Sequence, residues 1–399
     1  DDLPDAGALA AAAVSVETAD HLLGGAPGLL ALTRDPGLAG RIEAAIADVP
    51  NLVADVEAAL EDHDGDAANV EAANAGLVRL RDAVWAVERD RLGTRVGVAS
   101  LVASTSPSDA GLAVLLSVQQ ALSAIDRLEV RGRDSAGLQV TVWNHGIAVD
   151  DPALTDRLVD PLHRSGSVRI LDDGAPDGGG LVFVVKTAAE IGELGDNTAA
   201  LRAALAGDDL LARALTSPDV EGSVLGHTRW ASVGLISETN AHPVDSTRAD
   251  GVAVPLVTAV QNGDVDNHAD LVVAEDLSVA PEITTDAKVV PALCAAHLAA
   301  GHERMEAFRR AVSVFEGSLA IGAATGDAPD RLLLALRGSG QGLYVGLAED
   351  AFVVASEPCG VVELTADFVR MDGETPADPD DPGASRGQIV ELDGTRAGT

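Results

Sequence analysis

Positive charge, aromatic rings and sulfur are all scarce in this chain of 399 residues. Lysine and arginine number 27 against 63 aspartates and glutamates, a formal net charge of −36, and only Lys186 and Lys288 are lysines. So acidic a surface repels phosphate and anionic headgroups, which argues against direct binding to nucleic acid or to a membrane. The arginine skew, with abundant Ala, Gly and Asp, is the mark of a GC-rich genome or a salt-adapted host and says nothing about catalysis. Aromatic residues are few enough to name: Phe183, Phe308, Phe315, Phe352, Phe368, Trp85, Trp143, Trp230 and Tyr344. The core must therefore be aliphatic, and a 47% hydrophobic content supplies one, which excludes a wholly disordered acidic tail. Two cysteines, Cys294 and Cys359, cannot build a disulfide framework and point to a reducing cytoplasm. No apolar run approaches the ~20 residues that cross a bilayer, and no basic segment precedes the Ala-rich start. The chain begins at Asp1 rather than Met, so it is expected to be processed or a fragment.

Length allows two or three domains, or one large one. Residues 1–95 read as helices: Ala, Leu and Val recur at spacings of three and four in 37–62 and 67–92, with Asp-Gly at 64–65 between them. A helical hairpin or small bundle is the simplest outcome, serving structure or partner binding. Val96–Val102 is short and β-branched, and continuation of the helix is the alternative. Residues 110–128 form an amphipathic helix. Apolar strands follow at 138–143, 167–171, 181–185, 224–229, 255–261, 318–324, 331–336, 342–346 and 351–355, with helices at 187–206, 286–300 and 303–314. Strands in runs with grouped helices favour an α+β layering over a strict βαβ repeat. The Pro-, Asp- and Gly-rich stretch 372–388 reads as loop.

Three polar, glycine-containing segments lie at strand ends: Arg131–Gly137, Gly226–Gly234 continuing to Asn240–Pro243, and Gln261–His268. Arg229 beside Trp230 can offer a guanidinium fork to a carboxylate along an aromatic wall. Asn262-Gly263 is either a tight hairpin turn or an oxyanion hole, in which a side-chain amide and a glycine N–H hold developing negative charge. Asp286 is either a helix N-cap or a site for an ammonium group. Arg131 alone is a surface ion pair. No CxxC or HxxxH spacing supports a metal site, and no metal or other cofactor is expected.

Taken in order, Arg131–Gly137 (RGRDSAG), His227–Gly234 (HTRWASVG) with Asn240–Pro243 (NAHP), Asn262–Leu271 (NGDVDNHADL) and Thr285–Val289 (TDAKV) resemble the glutaminase domain of glucosamine-6-phosphate synthases. These are class II, Ntn-type glutamine amidotransferases. The likeness continues through Phe315–Ser318, Leu332–Gly340 and Val353–Glu357 and covers about 98–396. The whole pattern is most similar to large actinobacterial proteins with sugar-isomerase (SIS) domains downstream. The resemblance implies an α+β, four-layer αββα sandwich of two mainly antiparallel sheets over 96–399, with residues 1–95 as an all-helical insertion. It implies hydrolysis of L-glutamine to glutamate and ammonia for amination of a sugar phosphate, in the cytoplasm, with L-glutamine, downstream SIS domains and a second copy of the chain as partners.

The family's nucleophile is an N-terminal Cys whose own α-amino group is the general base. By the same resemblance the Asn262 side chain and the Gly263 N–H form the oxyanion hole. Arg229, helped by Ser232, holds the substrate α-carboxylate; Asp286 and the Gly263 carbonyl take its α-ammonium; Trp230 lies near the ammonia exit; Arg131 and Asp134 support the nucleophile's end. Departures are clear. No Cys opens the chain, Cys294 and Cys359 read as structural, and the family's opening Cys-Gly-Ile strand is absent, so the chain as given is expected not to hydrolyse glutamine. Either a short preceding stretch carries the Cys, or the nucleophile is lost and a glutamine-binding or scaffolding module with an acidic, partner-binding helical insert remains. Val233, Arg133 and Gln261 also replace the family's usual residues, and after Thr399 no isomerase region follows, so this stretch alone is expected not to aminate a sugar.

Overall fold

The structure, a computed structural model, describes residues 5–61, 67–102, 105–158, 160–171, 179–188, 193–381 and 385–397. It divides into two units, Asp1–Ala99 and Ser100–Thr399. The first is helical among its described residues: α1 (Ala6–Leu22), α2 (Gly25–Arg34), α3 (Pro36–Ile46), α4 (Val49–Glu61), α5 (Ala67–Trp85), a π-helical stretch Ala86–Leu92, and α6 (Gly93–Ala99). Local chemistry sets these starts. Asp5 and Asp35 accept from Gly7 N and Gly37 N, and Pro36 opens α3, where a missing N–H costs nothing. Leu9, Ala13, Val53, Val56, Ala73, Leu77, Leu80 and Val84 make one apolar seam between α1, α4 and α5. Gly76 lets α5 approach α1: a Cβ there would lie 3.1 Å from Leu9 Cβ. The 96–102 segment, left open between strand and helix, is helical through Ala99.

The second unit is layered. After α7 (Asp109–Leu128), capped by the Ser108 hydroxyl on Gly111 N (2.9 Å), come β1 (Ser135–Trp143), β2 (Val168–Leu171), β3 (Gly180–Ala188), α8 (Asp196–Ala206), α9 (Asp209–Ala214) and β4 (Glu221–Arg229). Next are β5 (Val244–Asp245), β6 (Val257–Gly263), α10 (His268–Ala274), α11 (Val289–Ala299), α12 (Arg304–Ser313), β7 (Leu319–Thr325), β8 (Ala328–Arg337), β9 (Tyr344–Leu347), β10 (Phe352–Ala355), β11 (Phe368–Arg370) and β12 (Gln388–Asp393). Every pairing is antiparallel, in the orders β2-β3-β1-β4, β12-β8-β7-β6-β5 and β10-β9-β11.

Side-chain alternation along β6, β7 and β8 explains the layers. Val257, Ala259, Ile321, Ala323, Leu333 and Ala335 face one way, into a core with Val290, Leu293, Cys294, Phe308 and Phe315 of α11, α12 and the following turn. Ala320, Leu334 and Leu336 face the other way and pack on Leu343, Val345, Phe352 and Val354 of β9, β10 and the approach to them. β4 touches β6, β7 and β8, while α7 and α8 cover the outer face of β4, β1 and β3. The result is an α+β four-layer αββα sandwich. The five-stranded sheet faces an opposing strand layer made of two separate sheets, one ending at β4 and the other at β10.

The expected strands all form, with ends shifted by up to three residues. The helix expected over 187–206 begins only at Asp196; Thr187 and Ala188 extend β3, and 189–192 lie outside the described residues. The Asp-Gly break at 64–65 is likewise outside them. The 372–388 loop carries an isolated Pro376–Arg386 bridge before β12.

Candidate active site

The polar segments meet at one end of the two strand layers. Arg131–Gly137 leads into β1, whose Ser135 is paired with Arg229 on β4. Two glycines of that segment mark close backbone crossings: a Cβ on Gly132 would lie 2.8 Å from Arg229 C, and one on Gly137 would lie 2.1 Å from His242 O. Asp134 fixes the chain beyond Arg229, accepting from Ala231 N (2.8 Å) while its own N–H reaches Arg229 O (3.2 Å). Arg131 closes a 3-10 turn with Glu129 and Val130, and its side chain lies outside the described residues.

Asn262 and Gly263 do not form a hairpin turn. They end β6, paired with Ala320 and Leu319 of β7. Asn262 Oδ1 receives His227 Nε2 at 2.8 Å, taking that nitrogen as the protonated one. This fixes the amide plane and leaves Asn262 Nδ2 without a partner among the described residues. The Gln261 N–H turns away from β7 to His242 Nδ1 (3.3 Å), so ladder alternation directs the Gly263 N–H to the same side. Gly263 has φ +81°, and a Cβ would fall 1.9 Å from Ser318 O, so only glycine fits.

Both histidines are held neutral, His242 buried and His227 half-buried, their rings 4.5 Å apart. Burial pulls His227 down to about 4, the Asn262 hydrogen bond opposing and the Arg229 charge adding to it. Burial also holds His242 well below its ordinary value, helped by the His227 and Arg229 charges. His242 Nε2 faces Thr285 Oγ1 at 3.4 Å, and that hydroxyl faces Asp286 Oδ1 at 3.4 Å.

Asp286 caps no helix, since Thr285 occupies the position ahead of its 3-10 turn. Its carboxylate points back to the end of β6, where Oδ2 accepts Val265 N (2.7 Å) and Gln261 Nε2 (2.8 Å). Asn240 places this turn, its Oδ1 accepting the N–H groups of Thr284 (2.7 Å) and Thr285 (2.9 Å). Arg229 is buried, and its guanidinium donates to Val233 O and Leu235 O, leaving three of its five N–H groups without a partner among the described residues. Burial lowers its pKa against the opposing charges of Asp286 and Asp134. Ser232 Oγ donates to Asp264 Oδ1 (2.5 Å), and Trp230 is 71% exposed.

Arg229, Trp230, Ser232, Asn262, Gly263 and Asp286 line one cavity of about 730 Å³. Sequence reading assigned no role to His227 or Gln261, though both stand inside quoted motifs; their only signal was adjacency to Arg229 and Asn262. The cavity runs on from these residues between α7 (Gln120, Ala124) and the five-stranded sheet (Val260, Gly322). Its sides are the free edges of β4 and β10, to which no other strand pairs among the described residues. Neither cysteine lines it: Cys294 is buried on the core face of α11, its thiol pushed up to about 12 by burial, and Cys359 is exposed.

No family model matches the chain. Over 165 residues it is 36% identical to the glutamine–fructose-6-phosphate aminotransferase [isomerizing] of Geobacillus kaustophilus, covering 41% of this chain and 26% of that protein. The enzyme of the same name from Bacillus subtilis is 33% identical over 160 residues, 40% of this chain and 25% of that protein. The chain thus spans about a quarter of the length of the curated relatives it matches. A solved glutamine phosphoribosylpyrophosphate amidotransferase from B. subtilis superposes with a TM-score of 0.36 at 18% identity, over 63% of this chain and 48% of that one. Over about 40% of its length, the stretch that holds its ordered motifs, this chain is thus similar to the glutamine–fructose-6-phosphate aminotransferases.

Proposed function

We propose that residues 96–399 are a glutaminase domain that releases ammonia from L-glutamine for amination of a sugar phosphate, fructose 6-phosphate by analogy with the relatives' name. The helical residues 1–95 are then an insertion, and SIS domains of a longer protein are the acceptor site. A reducing cytoplasm suits its two free thiols. The observation that carries this reading is the donor pair at the end of β6: the free Asn262 Nδ2, held by His227, beside the Gly263 N–H. Such a pair fits the oxyanion of a tetrahedral intermediate. Across the cavity, Arg229 has N–H groups to spare for the glutamine α-carboxylate, and Asp286 is a buried carboxylate for its α-ammonium.

The nucleophile belongs to a strand that fills the cavity. The groove has an open strand edge on each side, and β4 offers nine residues of it. A strand antiparallel to β4 sets its first residue beside Arg229 and Asn262. If that residue is Cys, its α-amine takes the thiol proton as sulfur attacks the amide carbon, then passes the proton to the departing nitrogen as ammonia leaves. Water adds to the thioester, giving up its proton to the amine, and glutamate departs as the thiol re-forms. The alternative, a glutamine-binding module without turnover, is favoured by one observation: no thiol of residues 1–399 lines the cavity.

Mass spectrometry of the N-terminus of the native gene product, with glutamate release and hydroxylamine trapping of the γ-glutamyl thioester, tests this. An N-terminal Cys with turnover is expected. A mature protein that starts at Asp1, binds glutamine and does not turn it over refutes the hydrolytic reading and leaves the binding module.

A further inference from the structure

Asp286 is 5% exposed and forms no ion pair among the described residues. Its oxygens are held by neutral donors: the Val265 N–H, the Thr285 hydroxyl at a long 3.4 Å, and the side-chain amide of Gln261 at 2.8 Å. The same Gln261 Nε2 reaches the Gly263 carbonyl at 3.0 Å. An amide nitrogen has two hydrogens, and both are therefore spent on the two acceptors that the glutamine reading gives to the substrate α-ammonium. Gln261 is itself 3% exposed, and its Oε1 is buried with no hydrogen-bond partner. The amide thus sits in the seat with half its capacity unused, a state that a better donor can displace. Its backbone stays anchored through the N–H to His242 Nδ1, so displacement needs only side-chain rotation.

We propose that Gln261 is an internal latch: its neutral amide occupies the ammonium seat formed by Asp286 and the Gly263 carbonyl, and α-amino acids bind only by displacing it. The proposal rests on the glutamine reading above. A competent state that is only fractionally populated lowers apparent affinity by that fraction. The latch selects specifically against ligands that need the seat, and ligands without an α-amino group leave it closed.

The test is calorimetric titration of the full chain with L-glutamate and with glutarate, which has the same two carboxylates and no amino group. Wild type is compared with Gln261→Ala and with Gln261→Met, which keeps side-chain bulk without the amide; glutarate binding reports that each variant's site is intact. Wild type is expected to prefer glutamate over glutarate by less than about threefold, and both variants by about tenfold or more, through tighter glutamate binding. An unchanged preference, or weaker glutamate binding in both variants, overturns the latch while leaving the glutamine site standing. Failure of both ligands to bind any of the three proteins overturns the glutamine reading, and the latch with it.

Discussion

Three histidines held in their neutral form by the fold should make the Ser100–Thr399 unit acid-sensitive in a defined window. His227 falls from 6.5 to about 4, and burial takes His163 to about 3, the Asp245 charge opposing; His242 lies well below its ordinary value. For His227 and His163, the unfolded chain takes up a proton near pH 6.5 and the folded chain does not until about pH 4 and about pH 3, and His242 is shifted in the same direction. The unfolded state therefore binds more protons between those values, so stability is complete above about pH 6.5 and falls with acidification. Each pH unit of mismatch is worth about 1.4 kcal/mol, so at pH 5 His227 and His163 each withdraw roughly 2 kcal/mol, roughly 4 kcal/mol together, and His242 acts in the same direction. That is a large part of the about 5–15 kcal/mol that holds a domain. Lys186, lowered to about 7 mainly by burial, acts in the alkaline window instead, where stability rises from about pH 7 toward 10.5. The assay is urea unfolding at pH 7.5, 6 and 5 for the wild type and His163→Asn. Residue 163 has φ +50°, which Asn tolerates, and it lies away from the cavity. Roughly 2 kcal/mol of the loss at pH 5 should disappear in the variant. Stability that is flat from pH 7.5 to 5, or an identical loss in both proteins, would refute the reasoning, because it would mean that these rings are solvated or charged in the folded chain.

Asn262→Ala in a protein that turns over glutamine should lower kcat by about 10²–10³ and also lower the melting temperature, since His227 Nε2 loses its acceptor. Asn262→Asp keeps that acceptor and removes the donor, so activity should fall in a protein that still melts near the wild-type temperature. Gly263→Ala, with its Cβ 1.9 Å from Ser318 O at φ +81°, should cost more than about 3 kcal/mol in urea unfolding; a change below about 1 kcal/mol would mean that the turn after β6 relaxes freely. Iodoacetamide should label the exposed Cys359 and spare the buried Cys294, read by mass spectrometry after digestion.

Strands were the most legible part of the sequence because their apolar runs are short, β-branched and bounded by turns. β1, β3, β6, β7 and β8 are central in their sheets, and burial on both faces leaves no ambiguity. The strands missed were β5, with two residues, β11, with three exposed ones, where no periodicity can accumulate, and the six-residue β12, a half-buried edge strand that directly follows the Pro-, Asp- and Gly-rich loop. Helix starts were harder. The 187–206 stretch reads as helix throughout because Ala and Glu favour it, yet Thr187 and Ala188 are pinned opposite Ala136 and Ser135 of β1, and pairing outweighs propensity. Site residues with a fixed local grammar, Arg229 and Asn262-Gly263, stood out. His227, Gln261 and Asn240 did not, because each acts on a residue 35, 25 and 44 positions away, a proximity that only the sheet register creates.

That register also bears on where the nucleophile of the proposed glutaminase would sit. In the fold, two unpaired strand edges, β4 and β10, border one cavity over the same face of the five-stranded sheet. Unpaired edges beside an apolar floor are costly for an isolated domain, since backbone groups there depend on water for their hydrogen bonds and invite foreign strands. On the glutaminase reading proposed above, a strand added along β4 pairs that edge inside the cavity. The same strand, run antiparallel to β4, delivers its first residue to Asn262 and Arg229. Completing the fold and completing the active site are then one event. A peptide that restores the strand should therefore raise the melting temperature of the Ser100–Thr399 unit whether or not its first residue is Cys, and only the Cys version should gain turnover.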